Sequence, residues 1–180
     1  RAKTFALSYA AGALRRTGEI QTEVELRESV VELHSELGMD DQKRKESAYL
    51  IYAYGDYIEY CLSLDKYNRA GRVLDKALLL CTAAGLDDRR AKLISYAGRH
   101  FINAGIRLKK SHLLVRGAEL SLESVELFDA SAQKSDRAFS VMRAGEAYIE
   151  SGFLENDPDQ LIKGAGYADI AAQMFRGLEM

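Results

Sequence analysis

Apolar residues recur at intervals of three and four along nearly the whole chain, and short clusters of Gly, Asp and Asn interrupt them. This spacing is typical of amphipathic helices, and no stretch alternates with a period of two for long enough to indicate a strand. The pattern predicts eight helices, over residues 2–16, 21–37, 42–63, 66–84, 88–103, 109–133, 136–151 and 158–178. The single proline, Pro158, falls in the first turn of the last helix, where its missing N–H costs nothing.

Glycines mark most of the predicted helix ends. These ends are RRTGE, ELGMDD, AAGLDD, INAG and IESG, and in each the glycine can adopt the left-handed conformation that closes a helix. The aspartates at 40–41 and 87–88 follow two of these glycines, and a carboxylate is favourable at an N-cap or in a first helical turn. We therefore expect the two aspartate pairs to begin the third and fifth helices.

The helices also repeat in pairs. Four glycines, at 12, 55, 98 and 145, lie in the first helix of successive pairs, beside small residues that let two helix backbones approach closely. The second helices share apolar residues at n, n+4 and n+7, for example Ala168, Ala172 and Phe175. One hairpin cannot bury its own apolar face, so the pattern favours stacked neighbours. It predicts a single domain over 1–180, with repeats at about 1–40, 41–87, 88–134 and 135–180.

The segment LDKYNRAGRVLDKALLL resembles the second half of a tetratricopeptide repeat, through Tyr67, Ala70, Leu74 and Ala77. The resemblance implies an all-α fold, a right-handed superhelical array of about four antiparallel helical hairpins, which is an α-solenoid. The helices here are longer than in the usual repeat of about 34 residues. They are closer to the long-helix variants, such as SNAP-type membrane-fusion adaptors and the sensor arms of some bacterial regulators.

The stretch YLIYAYGDYIEY, residues 49–60, contains five of the ten tyrosines. At about 100° per residue, Tyr54 and Tyr57 share a helix stripe with aliphatic neighbours, which predicts that they are core residues. The other tyrosines lie on a mixed aromatic and acidic face, made of Tyr49, Tyr52, Asp56, Glu59 and Tyr60. Tyrosine suits a binding surface because it offers a large contact area with few rotamers to freeze. The alternative is that these rings only fill space between repeats.

In tetratricopeptide-like arrays, the first helix of each pair lines a concave groove. Placing the chain on that pattern by its four glycines gives a predicted partner-binding groove of Tyr9, Arg16, Tyr49, Tyr52, Asp56, Glu59, Tyr60, Lys92, Arg99 and Asn103. The helical period and the resemblance thus select the same tyrosines.

Residues 89–118 carry eight Lys or Arg residues and no acidic residue, in a chain whose net charge is −2. This window predicts a basic rim beside the groove, formed by Arg107, Lys109, Lys110 and Arg116. Such a rim favours an acidic peptide, a phosphorylated tail or peripheral contact with an anionic membrane. The alternative is ordinary solvated surface, with Arg89 and Arg90 neutralising Asp87 and Asp88. The acidic net charge disfavours nucleic acid as a partner.

The sequence contains none of the common motifs of enzyme active sites. The three histidines have no partner at metal-ligand spacing, and neither a phosphate-binding glycine loop nor a GxSxG motif occurs. The sequence therefore predicts no enzyme, no metal and no cofactor. Cys61 and Cys81 form no disulfide framework, so a reducing, cytoplasmic setting is expected.

The leading hypothesis is a non-enzymatic scaffold for protein–protein interaction, which binds a partner segment of acidic character in its groove. The alternatives are a ligand-sensing or oligomerisation arm of a larger regulatory protein, and a SNAP-like membrane adaptor. The apolar segment GYADIAAQMFRGLEM favours a homo-oligomer formed through the end repeats. Because the sequence begins with Arg rather than Met, we expect it to be part of a longer chain.

Overall fold

The computed structural model describes residues 2–128 and 133–178, and over these residues the chain forms helices and no strand. The helices are α1 Ala2–Thr17, α2 Ile20–Glu36, α3 Asp40–Ser63, α4 Tyr67–Ala83, α5 Asp87–Leu108, α6 Ser111–Leu127, α7 Lys134–Glu155 and α8 Pro158–Arg176. The predicted all-α class is confirmed. The predicted sixth helix is longer than α6, and its residues 129–132 lie outside the described ones.

Three glycines close helices in the left-handed conformation, as predicted. Gly18, Gly38 and Gly85 have φ angles of +79°, +62° and +61°. A glycine is favoured there because a Cβ atom would crowd the backbone at positive φ. Three other turns place non-glycine residues at positive φ, namely Asp65, Lys109 and Asn156.

Two glycines that we expected to end helices lie inside them instead. α5 continues past Gly105 to Leu108, and α7 continues past Gly152 to Glu155, so the predicted ends at 103 and 151 are wrong. A Cβ atom at Gly105 would lie 2.8 Å from Leu114 Cγ, and one at Gly152 would lie 2.8 Å from Leu161 Cδ2. These glycines are therefore needed for close packing of the following helix rather than for a left-handed turn.

The helix starts agree with the sequence in part. Asp40 and Asp41 lie in the first turn of α3, as predicted, but the N-cap residue is Met39, and no side chain caps this helix. Pro158 begins α8, and the Asp157 carboxylate accepts hydrogen bonds from the backbone N–H of the next two non-proline residues. That cap satisfies N–H groups that the helix itself leaves unpaired.

The chain divides into two compact units. Unit 1 runs up to Arg89 and unit 2 begins at Arg90, so the boundary falls in the first turn of α5. The core of unit 1 includes the fully buried side chains of Val30, Ile58 and Leu74. Unit 2 contains a core cluster of Ile102, Leu114, Ala118, Ala144, Ala147 and Tyr148. The division into four repeats stays a prediction.

A buried ion network joins three helices of unit 1. Arg27 Nε donates to Glu23 Oε1 at 2.8 Å, and Arg27 Nη1 donates to Glu46 Oε1 at 2.7 Å. The second oxygen of Glu46 accepts from Ser8 Oγ at 2.9 Å. Charged groups this deeply buried need such partners, because burial removes them from water.

Within each unit, the hydrogen bonds that close the turns recur after 47 residues. In unit 1, Glu19 N donates to Leu14 O and Lys66 N donates to Cys61 O, at 3.1 and 2.8 Å. In unit 2, Lys110 N donates to Gly105 O and Asp157 N donates to Gly152 O, both at 2.9 Å. Each unit therefore contains two hairpins whose helices are joined by turns with the same hydrogen bond.

Close helix contacts in unit 2 follow the same interval. A Cβ atom at Gly98 would lie 3.0 Å from the Gly117 carbonyl oxygen, and one at Gly145 would lie 3.0 Å from the Gly164 carbonyl oxygen. The close approach predicted at Gly98 and Gly145 is confirmed. A methyl group at any of the four positions would press on backbone atoms.

Gly12 differs from the glycines of unit 2. Nothing lies within 4 Å of a Cβ atom built there, so the expected close approach is wrong at this position. Gly12 lies six residues before the left-handed Gly18, whereas Gly98 lies 11 residues before the left-handed Lys109. Aligning α1 by its turn therefore moves its register by five residues, which is about one and a half helical turns.

The apolar pattern of the second helices holds in α4 and fails in α8. Ala70, Leu74 and Ala77 are buried in α4. In α8, Ala168 and Ala172 are exposed, while the buried residues are Gly164 and Ala171. The reason is the backbone contact of Gly164 with α7. It directs the side of α8 that contains Gly164 toward α7, and the side with Ala168 and Ala172 stays exposed.

Candidate functional site

α3 separates its tyrosines as the helical period predicts. Tyr54 and Tyr57 are buried, with 2 % and 4 % of their surface exposed, whereas Tyr49, Tyr52 and Tyr60 are 56 %, 51 % and 42 % exposed. The three exposed residues are called the tyrosine face below. Glu59 is exposed and Asp56 is half-buried beside them. Whether this face lines a groove stays a prediction.

Two arginines lie over rings of the tyrosine face. The guanidinium carbon of Arg89 lies 4.6 Å from the centroid of the Tyr52 ring, and that of Arg27 lies 5.5 Å from the centroid of Tyr49. Cation–π contacts of this kind contribute about 0.5–2 kcal/mol. Arg89 therefore has a ring partner within unit 1, a contact that the sequence did not reveal.

Asp56 forms an ion pair that connects α1 with α3. Arg15 Nη2 donates to Asp56 Oδ2 at 2.5 Å, and both side chains are partly exposed. Burial raises the pKa of the Asp56 carboxyl above its usual value, and it outweighs the lowering effect of Arg15. One of the predicted groove carboxylates is thus already occupied by a partner within unit 1.

The predicted groove residues of α1 have different surroundings. Tyr9 is 76 % exposed, and it lines a cleft between α1 and α3 together with Tyr49. Arg16 is exposed and does not line this cleft. Tyr9, but not Arg16, therefore shares a cleft with a residue of the tyrosine face.

In unit 2, one predicted groove residue of α5, Arg99, interacts with an arginine of α7. Lys92, Arg99 and Asn103 are exposed along α5, and Arg99 lies over the Tyr96 ring at 5.1 Å. Arg143 Nη1 donates to Ser95 Oγ at 3.4 Å.

Arg143 and Arg99 influence each other electrostatically. Burial lowers the pKa of Arg143, and the positive charge of Arg99 lowers it further. Among the described residues, neither guanidinium forms an ion pair with a carboxylate. We call Arg99 and Arg143 the arginine pair. Glu146 and Asp136 offset part of the charge of Arg143, and an anion would compensate the remainder.

The predicted basic rim is mostly solvent-exposed. Arg107, Lys109 and Arg116 are exposed and Lys110 is half-buried. Arg116 lies 3.7 Å from Glu119, and Arg90 of the same basic window lies 3.9 Å from Glu123. Carboxylates that follow the acid-free window therefore offset part of its charge. Through residues 2–128 and 133–178, every helix falls short of the length and apolarity that a membrane crossing needs.

The side chains that usually carry chemistry are scattered. In the part of the chain that the structure describes, no three His, Cys, Asp or Glu side chains form a group that could hold a metal ion. Cys61 and Cys81 are buried free thiols.

No protein-family model matches this chain, and no curated protein matches it. Among solved structures, the chain is similar to BtubC (BKLC) from P. vanneervenii, with 14 % sequence identity and a TM-score of 0.27. The similarity covers 98 % of this chain and 91 % of that chain. At this TM-score, the similarity gives no information about what the chain binds.

Sequence reasoning missed two features of these surfaces. Arg143 was not among the residues that the glycine register selected. Phe5 and His34, which also line the α1–α3 cleft, were not selected either. In the sequence, Phe5 resembles any exposed aromatic residue and His34 resembles any core histidine, so neither indicates a cleft.

Proposed function

We propose that this protein is a non-enzymatic protein-interaction module whose tyrosine face binds a segment of a partner protein. The observation that carries the proposal is the exposure of Tyr49, Tyr52 and Tyr60 on a helix whose other tyrosines are buried. Exposed aromatic residues in a row are typical of binding surfaces, because they add apolar area and hydroxyl groups together.

The cation–π contacts support this proposal. Arg89 and Arg27 each cover one face of a tyrosine ring, which limits the motion of Tyr52 and Tyr49 before a partner arrives. A partner then loses less conformational entropy on binding, and the remaining ring face, edge and hydroxyl can still make contacts. Such pre-organisation is common among residues that contribute most to an interface.

The arginine pair supports an acidic character for the partner. Arg99 and Arg143 combine an exposed guanidinium with a half-buried one, and neither forms an ion pair within 4 Å among the described residues, although Glu146 and Asp136 offset part of the charge of Arg143. Arginine binds carboxylates and phosphates in bidentate geometry. An acidic segment would relieve the repulsion between the two positive charges.

We further propose that the hairpins are tetratricopeptide-like repeats of a right-handed solenoid, and that the protein works in the reducing cytoplasm. The turn hydrogen bonds that recur after 47 residues support the repeats. The buried thiols of Cys61 and Cys81 support the reducing setting.

The test is capture of partners from a lysate on the immobilised protein, compared with the double variant Tyr52→Ala/Tyr60→Ala. We expect the double variant to lose the partner, with affinity falling at least about 30-fold if the two rings contribute roughly 1 kcal/mol each or more. The matched control is Leu79→Ala, which removes an exposed apolar side chain from α4 and should retain the partner. Circular dichroism establishes that all variants keep their helices.

A second variant tests the acidic character of the partner. Arg99→Ala should weaken binding of the captured protein, and the remaining binding should depend less on salt, because an exposed charge is screened by ions. Equal capture by the wild type and the tyrosine double variant would refute the role of the tyrosine face.

A further inference from the structure

The cleft between α1 and α3 of unit 1 has the size of a ligand-binding site. Its volume is about 930 Å³, and it also reaches the turn after α2. Cavities that hold small organic molecules usually measure about 300–1,000 Å³. The lining includes three aromatic side chains, three carboxylates, one lysine and one histidine.

A buried histidine in this cleft lacks a hydrogen-bond partner. His34 is 7 % exposed and lines the cleft, and its Nδ1 atom makes no hydrogen bond among the described residues. Buried polar atoms are nearly always paired, so such an atom calls for a partner from outside. Glu46, by contrast, uses both oxygens, one toward Ser8 and one toward Arg27.

The walls of the cleft are aromatic on both sides. Phe5 and Tyr9 come from α1, with 83 % and 76 % of their surface exposed, and Tyr49 comes from α3. Arg27 already lies near the Tyr49 ring, whereas no cation lies over Phe5 or Tyr9 among the described residues. Aromatic faces attract organic cations through the negative charge at the centre of the ring.

The charge of the lining is negative. The lining contains three carboxylates, those of Asp40, Asp41 and Glu46, and one cation, that of Lys45. Arg27 does not line the cleft, and its positive charge is paired with Glu23 and Glu46. Asp40 and Asp41 are both exposed in the first turn of α3, where they can meet a ligand that enters from solvent. An anion would be repelled here, and a cation would be attracted.

We propose that this cleft binds an organic cation, an alkylammonium or guanidinium group on an apolar stem. The stem packs between the rings of Phe5 and Tyr9, and an N–H of the cation donates to the lone pair of His34 Nδ1 in the Nε2–H tautomer. Asp40 and Asp41 compensate the remaining charge at the mouth. This site goes beyond the proposed partner surface: it shares Tyr49 with the tyrosine face, but Tyr52 and Tyr60 do not line it.

The test uses a charged probe and a neutral probe of nearly the same shape. Nα-acetyl-lysine methylamide and Nα-acetyl-norleucine methylamide share a four-carbon side-chain stem, and only the lysine probe carries an ammonium group at its end. We expect the lysine probe to shift the amide NMR resonances of α1 and of the start of α3, and to bind at least about fivefold more tightly than the norleucine probe. Equal shifts with both probes, or no shifts with either, would overturn the proposal.

Variants of exposed side chains locate the site. Tyr9→Ala and Asp41→Asn should each weaken binding of the lysine probe by about two- to tenfold. Tyr60→Ala is the matched control, because it removes an exposed tyrosine that does not line the cleft, and it should leave the affinity unchanged. If Tyr60→Ala weakens binding as much as Tyr9→Ala does, the cation binds elsewhere and the proposal fails.

A further comparison distinguishes the source of the cation. n-Butylammonium represents a free small amine, and a peptide with one central lysine represents a partner side chain. Binding of both at similar affinity indicates that free amines suffice. Binding of the peptide at more than about tenfold higher affinity indicates a lysine presented by a protein, since backbone contacts then contribute as well.

Discussion

Arg27 shows how one buried side chain can hold several helices of unit 1. It donates to Glu23 within α2 and to Glu46 of α3, and Glu46 in turn accepts from Ser8 of α1. All three charged residues are at most 5 % exposed. The ion pair between Arg15 and Asp56 also joins α1 to α3, but both of its side chains are partly exposed to water.

Replacing the buried Arg27 should therefore lower the free energy of unfolding far more than replacing the exposed Arg15. We expect Arg27→Ala to lower the free energy of unfolding by about 3–5 kcal/mol, because it leaves two buried carboxylates without their cation. Arg15→Ala should cost less than about 1 kcal/mol, as exposed ion pairs do. Urea denaturation followed by circular dichroism measures both, and similar losses for the two variants would contradict this account.

Tyr54 makes the stability of unit 1 sensitive to alkaline pH. Burial raises the pKa of its phenol far above the usual value, and the hydrogen bond that its hydroxyl donates to Glu28 at 2.7 Å raises it further. Above about pH 10 an unfolded tyrosine loses its proton, while the folded one keeps it. Because the folded state then holds more protons, stability falls as the pH rises, by up to about 1.4 kcal/mol per pH unit.

The variant Tyr54→Phe tests this pH dependence. It should lose about 1 kcal/mol near neutral pH, where the hydrogen bond to Glu28 is missing. Between pH 10 and pH 11.5 its stability should fall less steeply than that of the wild type. Tyr60→Phe is the control, since Tyr60 is exposed, and its alkaline slope should match the wild type. Parallel slopes for all three proteins would contradict the role of Tyr54.

At the scale of the element, α8 contains two glycines with opposite roles. A Cβ atom at Gly164 would lie 2.8 Å from the Gly145 carbonyl oxygen, whereas nothing lies within 4 Å of one at Gly166. Both residues lie in the interior of the same helix and only two positions apart. One glycine permits contact with α7, and the other only makes the helix less stable.

Alanine at these two positions should therefore change stability in opposite directions. Gly164→Ala is expected to lower the free energy of unfolding by about 1–3 kcal/mol, because the methyl group presses on the α7 backbone. Gly166→Ala should raise it by about 0.5–1 kcal/mol through helix propensity. Thermal and urea unfolding measure both, and the same sign for the two variants would refute the assignment.

The contrast among glycines also explains how much of the structure the sequence could predict. Helix number, the three left-handed glycines and the burial of Tyr54 and Tyr57 follow from local rules, so they were predictable. The internal position of Gly105 was not, because a sequence does not reveal whether a glycine serves a turn or a close contact. The arginine pair and the α1–α3 cleft depend on side chains from different helices, which periodicity alone does not place together.

At the scale of the whole molecule, α7 and α8 expose apolar side chains that could support self-association. Ile162 and Ile170 are 71 % and 46 % exposed on α8, and Phe153 is 66 % exposed on α7. Ile162 and Ile170 are eight residues apart and so lie on one side of the helix. We propose that this surface meets a second copy of the chain.

Sedimentation velocity tests the self-association. The wild type should shift from monomer to dimer as its concentration rises, and Ile162→Glu/Ile170→Glu should remain monomeric, because two charges would be buried in the interface. Leu79→Glu, which places one charge on exposed α4, should behave like the wild type. A wild type that stays monomeric throughout would exclude this surface as a dimer interface.

The 47-residue recurrence of the turns has a mechanical consequence. The most extensive helix contacts within each unit join neighbours in sequence, such as α1 with α2 and α7 with α8, while Ser8–Glu46 and Arg15–Asp56 also join α1 to α3. We therefore expect tension along the chain to peel away one hairpin at a time, and in unit 1 this requires breaking the ion pairs of Arg15 and Arg27 with α3. Each hairpin would release up to about 160 Å of contour length, at roughly 3.4 Å per extended residue. We expect a single molecule under load to lengthen in steps of up to that length, one for each hairpin.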